Sequence, residues 1–160
     1  MLQRFAFVLI LLALVPACAP PQPAATSTVR MLEVKASLDT LWTRYAFASD
    51  AHDSVGFGLL FAEDATLAFP SLPTKRGLTE IEECLGSLYS GVDATALRID
   101  QQYLAVGGAF AFQSGAFEED FNADGVAKTR YGRFALAVEQ GKNREWRIRN
   151  LTILADSIRP

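Results

Sequence analysis

Residues that build metal sites and disulfide frameworks are scarce in this sequence. The 160 residues include two cysteines, Cys18 and Cys84, and a single histidine, His52. Zinc sites take most of their ligands from these two residue types, so the sequence predicts no metal site, and we expect no other cofactor. Basic residues are also few, with 15 lysines and arginines against 18 acidic residues and a formal net charge of −3. This balance excludes the strongly basic surface typical of nucleic-acid-binding proteins.

Long hydrophobic runs are scarce too, and the clearest one lies at the N-terminus. Residues Phe5–Val15 read FAFVLILLALV, after Arg4 and before the small-residue sequence Pro16–Ala17–Cys18. A positive start, an apolar stretch of about 7–15 residues and a small-residue cleavage site are typical of a secretory signal peptide. A transmembrane helix needs about 20 apolar residues. We therefore interpret residues 1–17 as a signal peptide.

The cysteine at the end of this segment indicates how the exported chain is held. The sequence VPAC, residues 15–18, resembles the bacterial lipobox, in which cleavage precedes the cysteine and the thiol is lipidated. The resemblance implies a lipoprotein anchored in the cell envelope through Cys18, and Ala19 implies the outer membrane, facing the periplasm. Acyl chains anchor stably because each buried CH₂ contributes about 0.8 kcal/mol. The alternative is a plain signal peptide with an incidental cysteine.

Residues 18–30 are predicted to be a flexible tether that leads to one domain, residues 31–160. The segment Ala19–Thr28 holds three of the seven prolines and no charge, a composition that favours extended chain and packs poorly. If Cys18 is lipidated, Cys84 has no disulfide partner. Cys84 lies in an apolar helical pattern, so we expect a buried, inert thiol.

Three helices are predicted in the first half of the domain. The first covers about residues 29–49, where Leu38, Leu41, Trp42 and Tyr45 follow the spacing of one helix face. This face is expected to pack on the core.

The second and third helices are shorter. The second covers about residues 53–61 and begins at Asp53 as its N-cap. The third begins at Thr79, because Glu82 three residues later completes a capping-box pattern. The inward-facing residues of these two helices are predicted to be Val55, Leu59, Leu60, Ile81, Leu85 and Leu88.

The rest of the chain alternates apolar and polar residues, which is typical of strands. A short strand, Ala65–Phe69, stops at Pro70 before the third helix, and turn signals such as Gly107–Gly108 divide the later sequence. The four later strands are predicted at Leu97–Val106, Ala109–Phe121, Val126–Glu139 and Glu145–Leu154. Three helices and then an antiparallel meander predict an α+β fold, with helices on one face of a curved sheet and a conical hollow between them.

These elements carry a family resemblance. The segment Arg44–Pro70, RYAFASDAHDSVGFGLLFAEDATLAFP, resembles the start of the NTF2-like superfamily, which includes SnoaL-like, ketosteroid-isomerase-like and DUF4440 domains. Further matching pieces are RG-x-x-x-I, from Arg76–Gly77 to Ile81, and a final strand that opens WRI at Trp146–Ile148. The resemblance covers Leu38–Asp156 and implies a cone-shaped NTF2-like fold.

The resemblance also bears on catalysis. In the steroid isomerases, a general-base carboxylate lies just before the equivalent proline, and a tyrosine and a second acid form the oxyanion hole. Tyr45 aligns with the tyrosine, but Phe69 stands at the position of the base, and the second acid would fall near Phe134 in a run without acids. General-base catalysis is typically worth about 10²–10⁴-fold, so we expect no catalytic residues of this kind. Glu63 and Asp64 are interpreted as solvated residues that end the second helix.

A ligand pocket is predicted inside the cone. Its candidates are Tyr45, Phe69, Phe134 and Asn150, because strand alternation places Asn150 on the same face as the apolar residues of the last strand. Asn150 and Tyr45 would orient a small apolar ligand. The alternative for Asn150 is a hydrogen bond to neighbouring backbone.

The opposite face of the sheet carries a basic stripe. Its residues are Tyr131, Arg133, Arg147 and Arg149. One interpretation is a solvated face whose long side chains cover apolar sheet. We favour a homodimer contact, because the outer sheet face often pairs with a second subunit in the superfamily that the chain resembles.

Three functions remain open at this point. The favoured one is an envelope lipoprotein whose NTF2-like domain is a non-catalytic module that binds a small apolar ligand or acts as a scaffold. The second is a SnoaL-like isomerase, cyclase or dehydratase with a base from elsewhere, such as His52 or Asp100. The third is a dimerising interaction module that works through the sheet face.

Overall fold

The computed structural model describes residues 25–160, and the side chains from Ser27 onward. The predicted signal peptide, the lipidation site Cys18 and the first part of the tether lie outside the described residues. Within residues 25–160, none of the helices has an apolar stretch long enough to cross a membrane.

Helix α1, Ala25–Asp50, is longer than the sequence predicts and begins inside the segment interpreted as tether. At 1.5 Å per residue it extends for roughly 39 Å. The predicted face is confirmed, since Leu38, Leu41, Trp42 and Tyr45 are all buried. Packing of this face on the sheet stabilises the helix far more than intrinsic propensity does.

Helix α2, Ser54–Gly58, is only five residues long. The predicted N-cap is confirmed, because an Asp53 carboxylate oxygen accepts a hydrogen bond from the Gly56 N–H at 2.8 Å. The predicted inward face is partly wrong. Val55 and Leu59 are exposed, and the buried residues are Phe57 and Leu60, because so short a helix turns only one side chain of its middle turn into the core.

Helix α3, Gly77–Tyr89, begins two residues before the predicted cap. The Glu80 carboxylate accepts the Arg76 N–H at 3.0 Å and satisfies a free donor at the helix start. The capping box at Thr79 is therefore wrong, while Ile81 and Leu85 are fully buried as predicted.

Six strands form one sheet. Strand β1, Phe61–Ala68, begins four residues earlier than predicted, so Glu63 and Asp64 lie in a strand and not at a helix end. Both remain exposed, as expected. The strands that follow are β2, Lys75–Arg76; β3, Asp93–Gly107; β4, Phe110–Ala123; β5, Val126–Gln140; and β6, Trp146–Arg159.

The sheet order is β2-β1-β6-β5-β4-β3. Strands β3 to β6 form the predicted antiparallel meander, and β1 pairs in parallel with β6. The three helices cover one face of the sheet, which confirms the α+β arrangement. Their buried side chains and the inner face of the sheet form one hydrophobic core.

Two glycines mark the bends of the sheet. A Cβ at Gly115 would lie 2.0 Å from the Asp100 carbonyl oxygen, and one at Gly132 would lie 2.4 Å from the Leu154 carbonyl oxygen. Register shifts occur beside both, between Gln101 and Tyr103 on β3 and next to Gly132 on β5. Bulges and glycines together allow a sheet to curve, and here they open the hollow under the helices.

We predict that Gly132→Ala lowers the free energy of unfolding by about 1–3 kcal/mol, because the added methyl group overlaps the Leu154 carbonyl and the Phe117 ring. Urea unfolding measures the change. Gly91→Ala is the matched control, since nothing lies within 4 Å of its added Cβ, and it should be neutral or slightly stabilising. Equal stability of the two variants would contradict this account of the bend.

Candidate functional site

A cavity of about 310 Å³ lies between the concave face of the sheet and the helices. We call it the cone cavity. Helices α1 and α3, the loop after β1 and the inner faces of β3 to β6 supply its walls. Its lining residues are Trp42, Tyr45, Phe69, Pro70, Ser71, Leu72, Leu88, Tyr89, Leu97, Ile99, Phe117, Glu119, Arg130, Phe134, Ile153 and Ala155.

Aromatic side chains form the wall of the cone cavity nearest α1. The Trp42 ring packs edge-on against Phe134 at 5.0 Å between ring centroids and against Tyr45 at 5.7 Å. The Trp42 indole N–H donates to the Gln113 side-chain oxygen at 2.8 Å, which satisfies its one polar group. Edge-to-face contacts of this kind and the indole hydrogen bond stabilise this wall.

Three of the four predicted pocket residues lie together in the cone cavity. Tyr45 and Phe134 are buried in its wall, and Phe69 follows β1 at its edge. Asn150 does not line the cavity. Its amide donates to the Thr66 hydroxyl on the neighbouring strand at 2.7 Å.

The prediction for Asn150 is wrong because of a local irregularity in β6. The register between β5 and β6 shifts at this point. Ala137 pairs with Asn150, but the next residue, Val138, pairs with Ile148. One residue is therefore bulged out of the ladder, and the alternation of faces is reversed beyond it. Leu151 and Ile153 face inward in place of Asn150.

One polar cluster interrupts the apolar walls, and its centre is Glu119. This carboxylate is only 3% exposed. One oxygen accepts a hydrogen bond from the Tyr89 hydroxyl at 2.8 Å, and the other accepts one from the Arg130 guanidinium at 2.9 Å. A buried charge needs such partners, because an unpaired one costs several kcal/mol.

Tyr45 lies beside this cluster with an unsatisfied hydroxyl. Among residues 25–160, its buried oxygen has no hydrogen-bond partner. Burial raises the pKa of the Tyr45 phenol strongly, and the negative charge of Glu119 adds to that increase. The pKa of Tyr89 is raised as well, mainly by burial and then by the neighbouring Tyr45. Both phenols therefore stay protonated. The Tyr89 O–H already donates to Glu119, so the Tyr45 O–H is the phenol donor left for a guest.

The cluster offers donors and few free acceptors. Both Glu119 oxygens already accept a hydrogen bond, so this carboxylate is not a free base. Arg130 donates through one nitrogen and makes no other hydrogen bond to the described part of the chain, while its guanidinium lies over the Phe121 ring at 5.0 Å. The arrangement can hold the acceptor oxygen of a guest molecule.

Glu119 is not among the residues predicted from the sequence. The signal was the strand alternation, because Phe117, Glu119 and Phe121 occupy successive positions of one face of β4. In a run reading FEEDF, the middle acid shares the buried face of the two phenylalanines. The sequence shows no reason for its burial until Arg130 is placed opposite it across the β4–β5 pairing.

Neither alternative base lies in the cone cavity. His52 is exposed at a turn and contacts the Val92 carbonyl at 3.1 Å, and Asp100 is exposed on β3. Among the described residues, no group of three or more His, Cys, Asp or Glu side chains is placed to hold a metal ion.

None of the four predicted dimer-face residues lines the cone cavity. The charges of Arg133 and Arg149 are balanced within the chain. Arg133 pairs with Asp156 at 2.9 Å, and Arg149 pairs with Asp64 and, at 3.5 Å, with Glu139. The Arg159 guanidinium lies over the Tyr131 ring, and a Glu145 carboxylate oxygen lies 3.9 Å from the Arg147 guanidinium. Arg133 and Arg149 are thus neutralised within the chain, and the role of the basic stripe as a dimer contact stays a prediction.

We predict that the free energy of unfolding falls steeply as the pH rises above 10, the ordinary pKa of tyrosine. The unfolded chain then loses the protons of Tyr45 and Tyr89, while the folded chain keeps them because both pKa values are raised. Once the pH is about one unit above 10, each tyrosine contributes close to 1.4 kcal/mol per pH unit to this slope.

Urea unfolding between about pH 9 and 11 measures this slope, which Tyr45→Phe should reduce by one tyrosine's share. Phe134→Leu is the control, since it alters the same wall without a phenol and should lower stability at every pH while leaving the slope unchanged. A Tyr45→Phe slope equal to that of the wild type would contradict the burial of a protonated phenol.

Comparison with solved structures identifies the fold. A ketosteroid isomerase-like protein from Erwinia carotovora atroseptica SCRI1043 matches with a TM-score of 0.65 and 17% identity, over 76% of this chain and 95% of that one. An NTF2-like superfamily protein from Salmonella enterica serovar Typhimurium LT2 matches with a TM-score of 0.64 and 20% identity, over 83% and 94%. A putative scytalone dehydratase from Novosphingobium aromaticivorans matches with a TM-score of 0.66 and 10% identity, over 82% and 89%.

Comparison of the sequence with protein-family profiles and with curated proteins gives no match. The solved structures are all similar over most of their own length, so the likeness covers their whole fold and not a fragment. The chain therefore has the cone-shaped α+β fold of the NTF2-like proteins.

Proposed function

We propose that this protein binds a small, uncharged, apolar molecule with one hydrogen-bond acceptor, in the cone cavity and without catalysing its conversion. The observation that carries the proposal is an apolar cavity whose one buried carboxylate, Glu119, already has both oxygens occupied. Such a site recognises shape and one acceptor atom, and it lacks a free base.

The size and walls of the cone cavity support an apolar guest. A volume of about 310 Å³ lies at the small end of the range for ligand pockets, roughly 300–1,000 Å³. Leu97, Ile99, Phe117, Phe134 and Ile153 present hydrocarbon to it. Transfer of apolar surface from water into such walls contributes about 25 cal/mol per Å².

The charge balance of the polar cluster supports an uncharged guest. The positive charge of Arg130 is already paired with Glu119, so an anionic guest would bring a second negative charge beside the first. A cationic guest would compete with Arg130 for the same carboxylate. A carbonyl or ether oxygen only needs a donor, and the free N–H groups of Arg130 provide one.

An enzymatic function is the second candidate, and Glu119 is the observation that favours it. Some structures with this fold are described as isomerase-like, dehydratase-like or dehydrochlorinase proteins. A carboxylate beside two phenols could move a proton if a substrate displaced Arg130. The two candidates differ in whether Glu119 stays paired when the cavity is occupied.

We predict that 2-acetonaphthone binds more tightly than 2-ethylnaphthalene and 2-naphthoate, which match its shape but lack the neutral acceptor. Displacement of the fluorescent probe N-phenyl-1-naphthylamine from the full chain measures all three. The affinity for the ketone should be about tenfold higher than that for the hydrocarbon, since one hydrogen bond to a charged donor is worth about 1.5 kcal/mol or more. Ile153→Trp should fill the cavity and abolish binding, and Phe110→Trp on the outer face is the control.

The same ketone separates binding from catalysis. Its methyl protons are exchangeable through an enol, so exchange with deuterium reports proton abstraction by NMR. We expect no exchange above the buffer rate. Exchange that is accelerated by the wild type and lost in Glu119→Gln would favour the enzymatic candidate instead, and tightest binding by 2-naphthoate would contradict the uncharged guest.

We further propose that the protein acts as a lipoprotein of the cell envelope, on the resemblance of residues 15–18 to a lipobox. Labelled palmitate should be incorporated by the full chain expressed in a bacterium and should not be incorporated by Cys18→Ser. Cys84→Ser is the matched control and should retain the label. Equal labelling of wild type and Cys18→Ser would contradict lipidation at Cys18 and favour a plain signal peptide.

A further inference from the structure

A second pocket lies between α1, the residues that join α2 to β1, and the start of β6, and three arginines line it. Its volume is about 190 Å³. Arg44 comes from α1, Arg144 from the turn between β5 and β6, and Arg147 from the second position of β6. We call it the arginine pocket.

The charge of the arginine pocket is not balanced. Among residues 25–160, the Arg44 and Arg144 side chains make no ion pair and no hydrogen bond, and Arg147 has only a Glu145 oxygen at 3.9 Å. Glu145 is the one acid in the lining. It also accepts a hydrogen bond from the Asn143 amide, and its single negative charge faces three arginines.

Backbone hydrogen bonds fix the turn that carries Arg144 and the start of β6. Arg144 has a φ of 66°, a left-handed conformation that is unfavourable for a residue with a long side chain. Its N–H donates to the Gly141 carbonyl at 2.9 Å, and its own carbonyl accepts from the Gln140 amide at 3.0 Å. The Leu60 carbonyl accepts the Ile148 N–H at 2.8 Å and fixes the start of β6 against the pocket floor.

We propose that the arginine pocket binds a phosphate group. Arginines from α1, from the β5–β6 turn and from β6 line the pocket beside a single glutamate, and arginine forks match phosphate geometry. The pocket hydroxyls are already committed as donors, since Ser37 donates to the Glu33 carbonyl and Thr40 to the Ala36 carbonyl. The arginines therefore supply the donors, and an anion relieves their mutual repulsion.

The phosphate can belong to a free phosphate or to a lipid headgroup, and two soluble probes distinguish these sources. Inorganic phosphate represents the first, and glycerophosphoglycerol, the deacylated headgroup of phosphatidylglycerol, represents the second. Isothermal titration calorimetry on the full chain at about 50 mM salt keeps surface electrostatics from being screened out. Tighter binding of inorganic phosphate indicates a free phosphate, and equal or tighter binding of the diester indicates a lipid headgroup.

Arg44→Gln and Arg147→Gln should each weaken binding about tenfold, which is the loss of one charged hydrogen-bond donor. Arg144→Gly should weaken it similarly while relieving the strained φ, so this variant keeps the proposal testable if the others unfold. Lys35→Gln removes one positive charge from the same helix outside the pocket and should bind as the wild type. Binding of neither probe, or equal binding by Arg44→Gln and Lys35→Gln, would overturn the proposal.

Discussion

The pairing of Glu119 with Arg130 and Tyr89 is the interaction on which the interior of this protein depends. A carboxylate that is almost fully buried in an apolar cavity is tolerated only with partners for both of its oxygens. The partners come from two other elements, α3 and β5, so the cluster also ties the helical layer to the sheet. Because the pair is neutral as a whole, it adds polarity to the cone cavity without adding net charge.

The curvature of the sheet decides which side chains reach that cluster. Glycines at two bends let neighbouring backbones approach more closely than any side chain permits. The bulge in β6 then turns Asn150 outward and Ile153 inward. The cavity is consequently more apolar than a regular alternation of faces would make it, and its polar groups are gathered at one end. The arginine pocket lies apart from this interior, so the two proposed sites can be tested separately.

The sequence predicts the fold well and the site only in part. Helix spacing and strand alternation act over many residues, and for this reason the α1 face and the four-strand meander are confirmed. The predictions that fail are local. The bulge beside Asn150 and the early start of β1 at Phe61 each depend on pairing with distant parts of the chain. The start of α3 depends on a local contact instead, in which the Glu80 carboxylate accepts the Arg76 N–H. Glu119 is buried because Arg130 and Tyr89 lie beside it, and their proximity follows from the folded sheet.

A crystal structure of the full chain with 2-acetonaphthone tests the central claim most directly. We expect the naphthalene ring between Phe134 and Ile153 in the cone cavity, with the ketone oxygen near the Arg130 guanidinium and Glu119 still bonded to Tyr89 and Arg130. A ligand that lies outside the cone cavity, or one whose entry separates Glu119 from Arg130, would contradict a neutral, non-catalytic binding site.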